Sequence, residues 1–373
     1  SGMQIDLKWV EASTRKIADH AKKHTIVVEK STLPVRTAQT IKDILESSSK
    51  NKSRLGEKVE FSILSNPEFL SEGNAISDLE SPERVLIGGE DEMAIEALAN
   101  IYMNWVPNDK IIRTNIWSSE LSKLSANAFL AQRVSSINSI SALCEKTGAN
   151  INEVSEAIGM DDRIGAKFLN SGPGFGGSCF KKDILNLIYI CKYYGLHEAA
   201  IYWENVIKIN EWQQKRISDL VVNKLFGTVI DKTIGILGFS FKANTNDTRE
   251  SPAINICKNL LEEGAFLNIY DPKVDREQIQ YDLGSAPKKH KEEYTNIGRW
   301  EYAKSIEDAA RGSDAILILS DWKEFFNLDY TSLIKEMRKP SWIFDTRNTI
   351  NFEDARNCGF KIWALGNGNH NNL

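Results

Sequence analysis

The stretch Lys110-Ile-Ile-Arg-Thr-Asn-Ile-Trp-Ser-Ser-Glu-Leu-Ser-Lys-Leu-Ser-Ala-Asn127 changes period partway through. Lys110 to Arg113 reads as a short β-branched strand. From Ser118, placed as an N-cap, apolar residues at Leu121, Leu124, Ala128, Ala131, Val134, Ile137, Ile140 and Cys144 describe one long helix that stops near Gly148. Residue 115 is therefore the point where one domain gives way to another.

Upstream of it, helices alternate with strands. Gln4 to Lys22 reads as an amphipathic helix with Ile5, Val10, Ile17 and Ala21 near one face. Thr25 to Val28 is a strand that passes into a helix marked by Pro34 at a position suited to N1. Phe61 to Leu64 is a second strand, and a helix spans Met93 to Trp105. The alternation is the signature of a parallel α/β sheet. Downstream, a short helix (Asn152 to Ile158), a glycine-rich loop (Gly172 to Gly177), a helix closed by Gly195 and another from Glu198 to Phe226 make an all-α region. The α/β pattern returns with strands at Thr233–Leu237, Phe266–Tyr270, Ala315–Leu319 and Trp342–Phe344, a helix opened by Ser251 and Pro252, and helical stretches around Phe325 and Ile334. The expected architecture is α/β: two doubly wound, Rossmann-like domains at 1–114 and 229–373, joined by a central helical domain at 115–228 that carries the long helix. The first domain is expected to be incomplete, because the sequence opens on a helix where such a domain opens with a strand and a glycine-rich turn.

Composition narrows the function. Hydrophobic residues at 42% and charged residues at 26% exclude a disordered chain, and a net charge of −5 offers no general attraction for nucleic acid or an anionic membrane. No apolar run approaches a membrane span, and the first residues lack the build of a signal peptide, so a cytoplasmic protein is expected. The five cysteines (Cys144, Cys179, Cys191, Cys257 and Cys358) are scattered and never form a C-x-x-C pair, which suggests neither a disulfide framework nor a metal site.

Gly172-Pro-Gly-Phe-Gly-Gly177 matches G-x-G-x-x-G literally, but helical sequence precedes it, so it is not read as a dinucleotide fingerprint. Cys179 follows that loop, just before a helix and beside Lys181 and Lys182, in a setting that favours a thiolate nucleophile over a small packing residue. Lys123 and Asn127 share one face of the long helix and could hydrogen-bond a developing oxyanion, although a snorkelling lysine would look the same. Asn66-Pro-Glu68-Phe69-Leu70-Ser-Glu72 follows a strand at the edge where open α/β sheets carry ligands. Lys242 and Arg249, between the first strand of the last domain and the Ser251 helix start, suit a diphosphate.

These motifs together resemble the UDP-glucose/GDP-mannose dehydrogenase family, and within it the UDP-glucose 6-dehydrogenases of eukaryotes. The likeness runs from Asp6 to about Gly366. It rests on Asn66-Pro-Glu-Phe-Leu, Ser119-Glu-Leu-Ser-Lys123-Leu with Asn127, Gly174-Phe-Gly-Gly-Ser-Cys179-Phe with Lys182-Asp183, and Phe241-Lys242 through Asp247-Thr-Arg249-Glu-Ser251. The resemblance implies NAD-dependent oxidation of UDP-glucose to UDP-glucuronate by two hydride transfers through a thioester on Cys179. Lys123 would stabilise oxyanions, Asp183 would position the hydrolytic water, Glu68 would assist proton transfer, and Asn127 would hold the sugar or that water. Phe69, Leu70, Phe168, Leu169, Gly174, Phe175, Gly176, Phe241, Lys242 and Arg347 would line the UDP-sugar pocket, and Arg163 would reach in from a neighbouring subunit of a homo-oligomer, a dimer or hexamer. Thr32, Glu72, Lys182 and Arg249 would touch NAD.

The sequence departs from the family in three places. The opening strand with its G-x-G-Y-V-G turn is not among the 373 residues, so NAD is expected to bind weakly, while Thr346 stands where glycine is expected and Asn170 where a basic residue is. The rival readings are a sister enzyme acting on GDP-mannose or a UDP-N-acetyl hexosamine, and a UDP-sugar-binding paralogue that does not turn over.

Overall fold

The computed structural model describes residues 7–31, 37–48, 59–285 and 298–368. The chain folds as two compact units, residues 1–128 with 183–203, and residues 129–182 with 204–373.

In the first unit the order is α1 (Lys8–His20), β1 (Thr25–Glu29), α2 (Thr37–Ser48), β2 (Phe61–Ser65), α3 (Ala75–Glu80), β3 (Val85–Gly89), α4 (Glu92–Tyr102), β4 (Ile111–Thr114) and the start of the 32-residue α5 (Ile116–Thr147). Pro34, the expected helix opener, lies outside the described residues. The long helix begins earlier than Ser118, because Asn115 Oδ1 accepts the Ser118 amide at 2.8 Å and so caps the first turn. The sheet order is β1-β2-β3-β4. It is mixed rather than wholly parallel: β1–β2 and β3–β4 are parallel, but β2 and β3 run antiparallel with Leu64 opposite Gly89. A parallel return needs a crossover helix that covers the sheet, whereas α3 has six residues and buries none of them. Ile63 and Leu64 are neighbours in β2 and feed opposite cores, one with Ala38, Ile41 and Leu45 of α2, the other with Val85, Ile87, Ala94 and Ala99.

The remaining elements are α6 (Ile151–Gly159), α7 (Phe180–Tyr193), α8 (His197–Lys224), β5 (Thr233–Leu237), α9 (Pro252–Glu262), β6 (Phe266–Tyr270), α10 (Arg276–Leu283), β7 (Arg299–Tyr302), α11 (Ile306–Ala310), β8 (Ala315–Ile318), α12 (Tyr330–Glu336), β9 (Trp342–Asp345), α13 (Phe352–Asn357) and β10 (Lys361–Ala364). The six strands of the second unit pair in the order β10-β9-β8-β5-β6-β7, all parallel. This is doubly wound topology, and the chain reverses its direction of travel between β5 and β8, where such sheets open a ligand crevice. Ile234, Ile236, Leu267, Leu317 and Phe344 are fully buried, each contributing about 1.5–3 kcal/mol through removal from water. Helices α5, α7 and α8 each supply residues to both units. Among the described residues no helix is long and apolar enough to cross a membrane.

Candidate active site

In the second unit, the Gly172–Gly177 loop connects α6 to α7 with no strand before it, as a loop that is not a dinucleotide fingerprint requires. Two of its glycines are there for room. A Cβ on Gly176 would lie 2.6 Å from Glu250 O and 2.8 Å from Phe241 Cβ, and Gly174 combines φ +137° with a Cβ position 2.5 Å from Asn210 Oδ1. Phe241 thus packs on Gly176 and Gly177, and the Gly177 amide donates to Arg249 O at 2.8 Å. The loop delivers Cys179 to the residue just ahead of α7, with an exposed thiol 3.4 Å from Ser178 Oγ. Phe175 is buried, its ring edge-on to Phe180 at 5.9 Å. The other four cysteines are buried or half-buried, and burial drives the Cys257 thiol well above the ordinary range.

Arg347, after β9, reaches the same loop. Its Nη1 would lie 2.9 Å from a Cβ on Gly172, its Nε donates to Leu319 O at 3.0 Å and its Nη2 to Phe241 O at 3.5 Å. Burial lowers its proton affinity below the ordinary arginine range, and among the described residues no carboxylate lies within ion-pairing distance; Asp321 and Asp345 act only through space. Asp345 is itself occupied by the amides of Arg347, Thr349 and Ile350. A cation answered only by carbonyls at a loop of glycines is a place for an anion. Lys242 and Phe241 stand in the loop after β5, the ammonium 5.6 Å from the ring. Thr346 is fully buried and satisfied, its hydroxyl donating to Ile318 O at 2.6 Å.

Arg163, Arg249 and Lys182 lie on exposed surface. Arg163 forks onto Asp161 at 2.6 Å with its side chain 89% exposed, Arg249 forks onto Asp247 at 2.7 Å, and Lys182 is exposed on α7. Phe168 holds φ +63°, a left-handed conformation costly for a bulky side chain, while Leu169 is buried and its carbonyl accepts Ser155 Oγ. Arg133, which sequence reading passed over, donates to the carbonyls of Ile164, Gly165 and Lys167 and so shapes that loop.

In the first unit, α5 presents Lys123 and Asn127, both buried. Lys123 Nζ stands 3.9 Å from Glu68 Oε1 and 5.3 Å from the Phe69 ring, which Arg84 also covers at 4.0 Å. Asn127 Nδ2 donates to Asp183 Oδ2 at 2.5 Å, so the buried Asp183 in the first turn of α7 has its carboxylate oriented from α5. The turn before Glu68 is anchored by Asn66, which donates to Leu86 O and accepts from Tyr102 OH and Lys30. Leu70 and Glu72 are exposed, and Thr32 lies outside the described residues. At the ends of β1 and β2, Oε2 of Glu29 and Oε2 of Glu68 are buried without a hydrogen-bond partner among the described residues, so that edge keeps unspent polar capacity. Burial, with the nearby Glu120 carboxylate, pushes Glu29 up to about 8.

Residues 1–106 match the NAD binding domain of the UDP-glucose/GDP-mannose dehydrogenase family, residues 117–212 its central domain and residues 235–352 its UDP binding domain. The chain is 50% identical to UDP-glucose 6-dehydrogenase 2 of Oryza sativa subsp. japonica, over 98% of this chain and 77% of that protein. It is 51% identical to UDP-glucose 6-dehydrogenase of Caenorhabditis elegans, over 98% and 75%. Among solved structures, a UDP-glucose dehydrogenase from Pyrobaculum islandicum superposes with a TM-score of 0.81 at 30% identity, covering 98% of this chain and 76% of that one. A UDP-D-ManNAc dehydrogenase from Pyrococcus horikoshii does so with a TM-score of 0.80 at 26% identity, covering 99% and 79%. The chain belongs to the UDP-glucose/GDP-mannose dehydrogenase family, with the NAD binding, central and UDP binding domains of that family in order along it.

Proposed function

We propose that the chain oxidises the C6 hydroxyl of UDP-glucose to the carboxylate of UDP-glucuronate, through a thioester on Cys179. The observation that carries the reading is the exposed Cys179 thiol at the head of α7, delivered there by a loop whose glycines leave no room for side chains. In the first oxidation the C6 hydrogen leaves as hydride and the hydroxyl proton passes to a base, giving an aldehyde. The Cys179 thiolate adds to the carbonyl carbon, forming a C–S bond and an oxyanion, and loss of a second hydride from that carbon leaves the thioester. Water then breaks the C–S bond, releasing carboxylate and thiol. Bound NAD supplies the hydride acceptor for each oxidation.

The roles of the chain's own groups follow from their surroundings. Lys123 is a buried cation and would stabilise the oxyanions, worth about 3–4 kcal/mol if it acts like a single oxyanion-hole donor. Glu68, with one oxygen near Lys123 and the other unpartnered, would relay protons, and Asp183, held by Asn127, would orient the hydrolytic water. Arg347 and Lys242 would take the diphosphate. Phe69, Leu70, Phe168, Leu169, Gly174, Phe175, Gly176 and Phe241 would line the rest of the UDP-sugar pocket. Thr32, Glu72, Lys182 and Arg249 would hold NAD. In this division residues 1–114 serve the cofactor, 115–228 carry the nucleophile and 229–373 the UDP group.

A panel of UDP-glucose, GDP-mannose and UDP-N-acetyl hexosamines, followed by NADH formation, tests the substrate. UDP-glucose is expected to yield two NADH per sugar, and preference for another sugar nucleotide would replace this reading with a sister activity. Arg163, exposed and paired only with its own loop, would complete the site of a neighbouring copy. Mixing Arg163→Ala with Cys179→Ser subunits should then restore activity, and no recovery after verified subunit exchange would remove the intersubunit role.

A further inference from the structure

We infer that Asn210 is a positioning residue for the Gly172–Cys179 loop, its carboxamide standing in for the β-strand the loop lacks. The inference rests on the reading of Cys179 as nucleophile. Asn210 is buried on α8. Its Oδ1 accepts the Phe175 amide at 2.8 Å and its Nδ2 donates to the Phe175 carbonyl at 3.1 Å, so one side chain answers both backbone groups of one residue, as a paired strand would. Gly174 is pressed onto the same carboxamide, which explains why no side chain fits there.

The entrance of the loop is held in the same manner. Asn138 Oδ1 on α5 accepts the Gly172 amide at 2.9 Å, and Gln213 Nε2 on α8 donates to the Gly172 carbonyl at 3.0 Å. Gln213 is fixed in turn by Arg216, which pairs with Glu145 at 2.7 Å. Helices α5 and α8 thus clamp Gly172 and Phe175, and the Phe175 clamp lies only four residues before Cys179. Displacement of a reacting atom by about 1 Å can cost a hundredfold in rate, so the carboxamide bears on catalysis although it belongs to no reacting group.

The test uses the full chain with Asn210→Asp and Asn210→Ala. The aspartate keeps the size and the acceptor for the Phe175 amide but, when ionised, sets a lone pair against the Phe175 carbonyl. Two readouts are taken: the rate of Cys179 alkylation by iodoacetamide without substrate, located by peptide mass spectrometry, and kcat beside KM relative to the parent at about pH 8, where an ordinary aspartate is ionised. The expected result is an alkylation rate changed at least about threefold and a kcat about ten- to a hundredfold low in both variants. Parent-like alkylation in both variants, or parent-like kcat in both, would overturn the inference. Should Asn210→Ala fail to fold, the near-isosteric aspartate alone decides. Failure of the functional reading is separately visible, because the alkylation readout needs no substrate and no turnover.

Discussion

Replacing Glu29 with glutamine should remove a pH dependence from the stability of the first sheet. Glu29 ends β1, is 8% exposed, has one carboxyl oxygen without a hydrogen-bond partner among the described residues, and is held at about 8 against an ordinary 4.5 by burial first and the neighbouring Glu120 second. The folded chain binds this proton more tightly than the unfolded chain, so the contribution of the protonated acid is complete below about pH 4.5 and is lost as pH rises through about 8. At ~1.4 kcal/mol per pH unit the gap between about 8 and 4.5 amounts to about 5 kcal/mol. Glutamine keeps the shape and never ionises. Native-state hydrogen exchange of the β1 and β2 amides reads the opening free energy of this unit alone, which a global melt of a two-unit chain would not. Relative to the parent, Glu29→Gln should differ little near about pH 5 and be more stable by several kcal/mol near about pH 9. Parallel pH dependences in parent and variant would show that Glu29 carries no buried proton and that Glu120 is not its electrostatic neighbour.

Two further outcomes follow from the second unit. Gly176→Ala places a methyl 2.6 Å from the Glu250 carbonyl oxygen, a backbone atom that cannot swing away, so about 1–3 kcal/mol of stability and most of the turnover should be lost; thermal unfolding and kcat/KM measure the two effects. Arg347→Ala removes a cation whose partners are carbonyls, so the fold should persist while UDP-glucose binding by titration calorimetry weakens about ten- to a hundredfold, the worth of a charge-assisted contact.

Legibility in the sequence depended on whether a signal was local. Strands β5 and β8 are continuous apolar runs buried on both faces, and their composition alone announces them. Strand β3 ends in Gly88-Gly89 and β10 has four residues beginning with an exposed lysine, so neither has the length or alternation that pattern reading needs. The antiparallel β2–β3 pair was hidden because apolar runs do not report direction; only the small size of α3 could have hinted at it. In the site, the glycine run pointed to Cys179 because glycines carry backbone information directly. Asn138, Asn210 and Gln213 carried no such mark, since isolated amides on helices are ordinary surface residues until a loop packs onto them. Glu29 carried no mark in the sequence, and its burial together with the neighbouring Glu120 on α5 changes its chemistry.

Peptide mapping of Asp183→Asn during turnover of UDP-glucose with NAD asks whether substrate becomes bonded to Cys179. With the hydrolytic step slowed, the acyl intermediate should accumulate, and the Cys179 peptide should gain the mass of a UDP-glucuronyl group in step with NADH formation and lose it on treatment with hydroxylamine. NADH formation with an unmodified Cys179 peptide, or parent-like turnover by Cys179→Ser, would contradict the thioester mechanism and return this cysteine to a structural role in its loop.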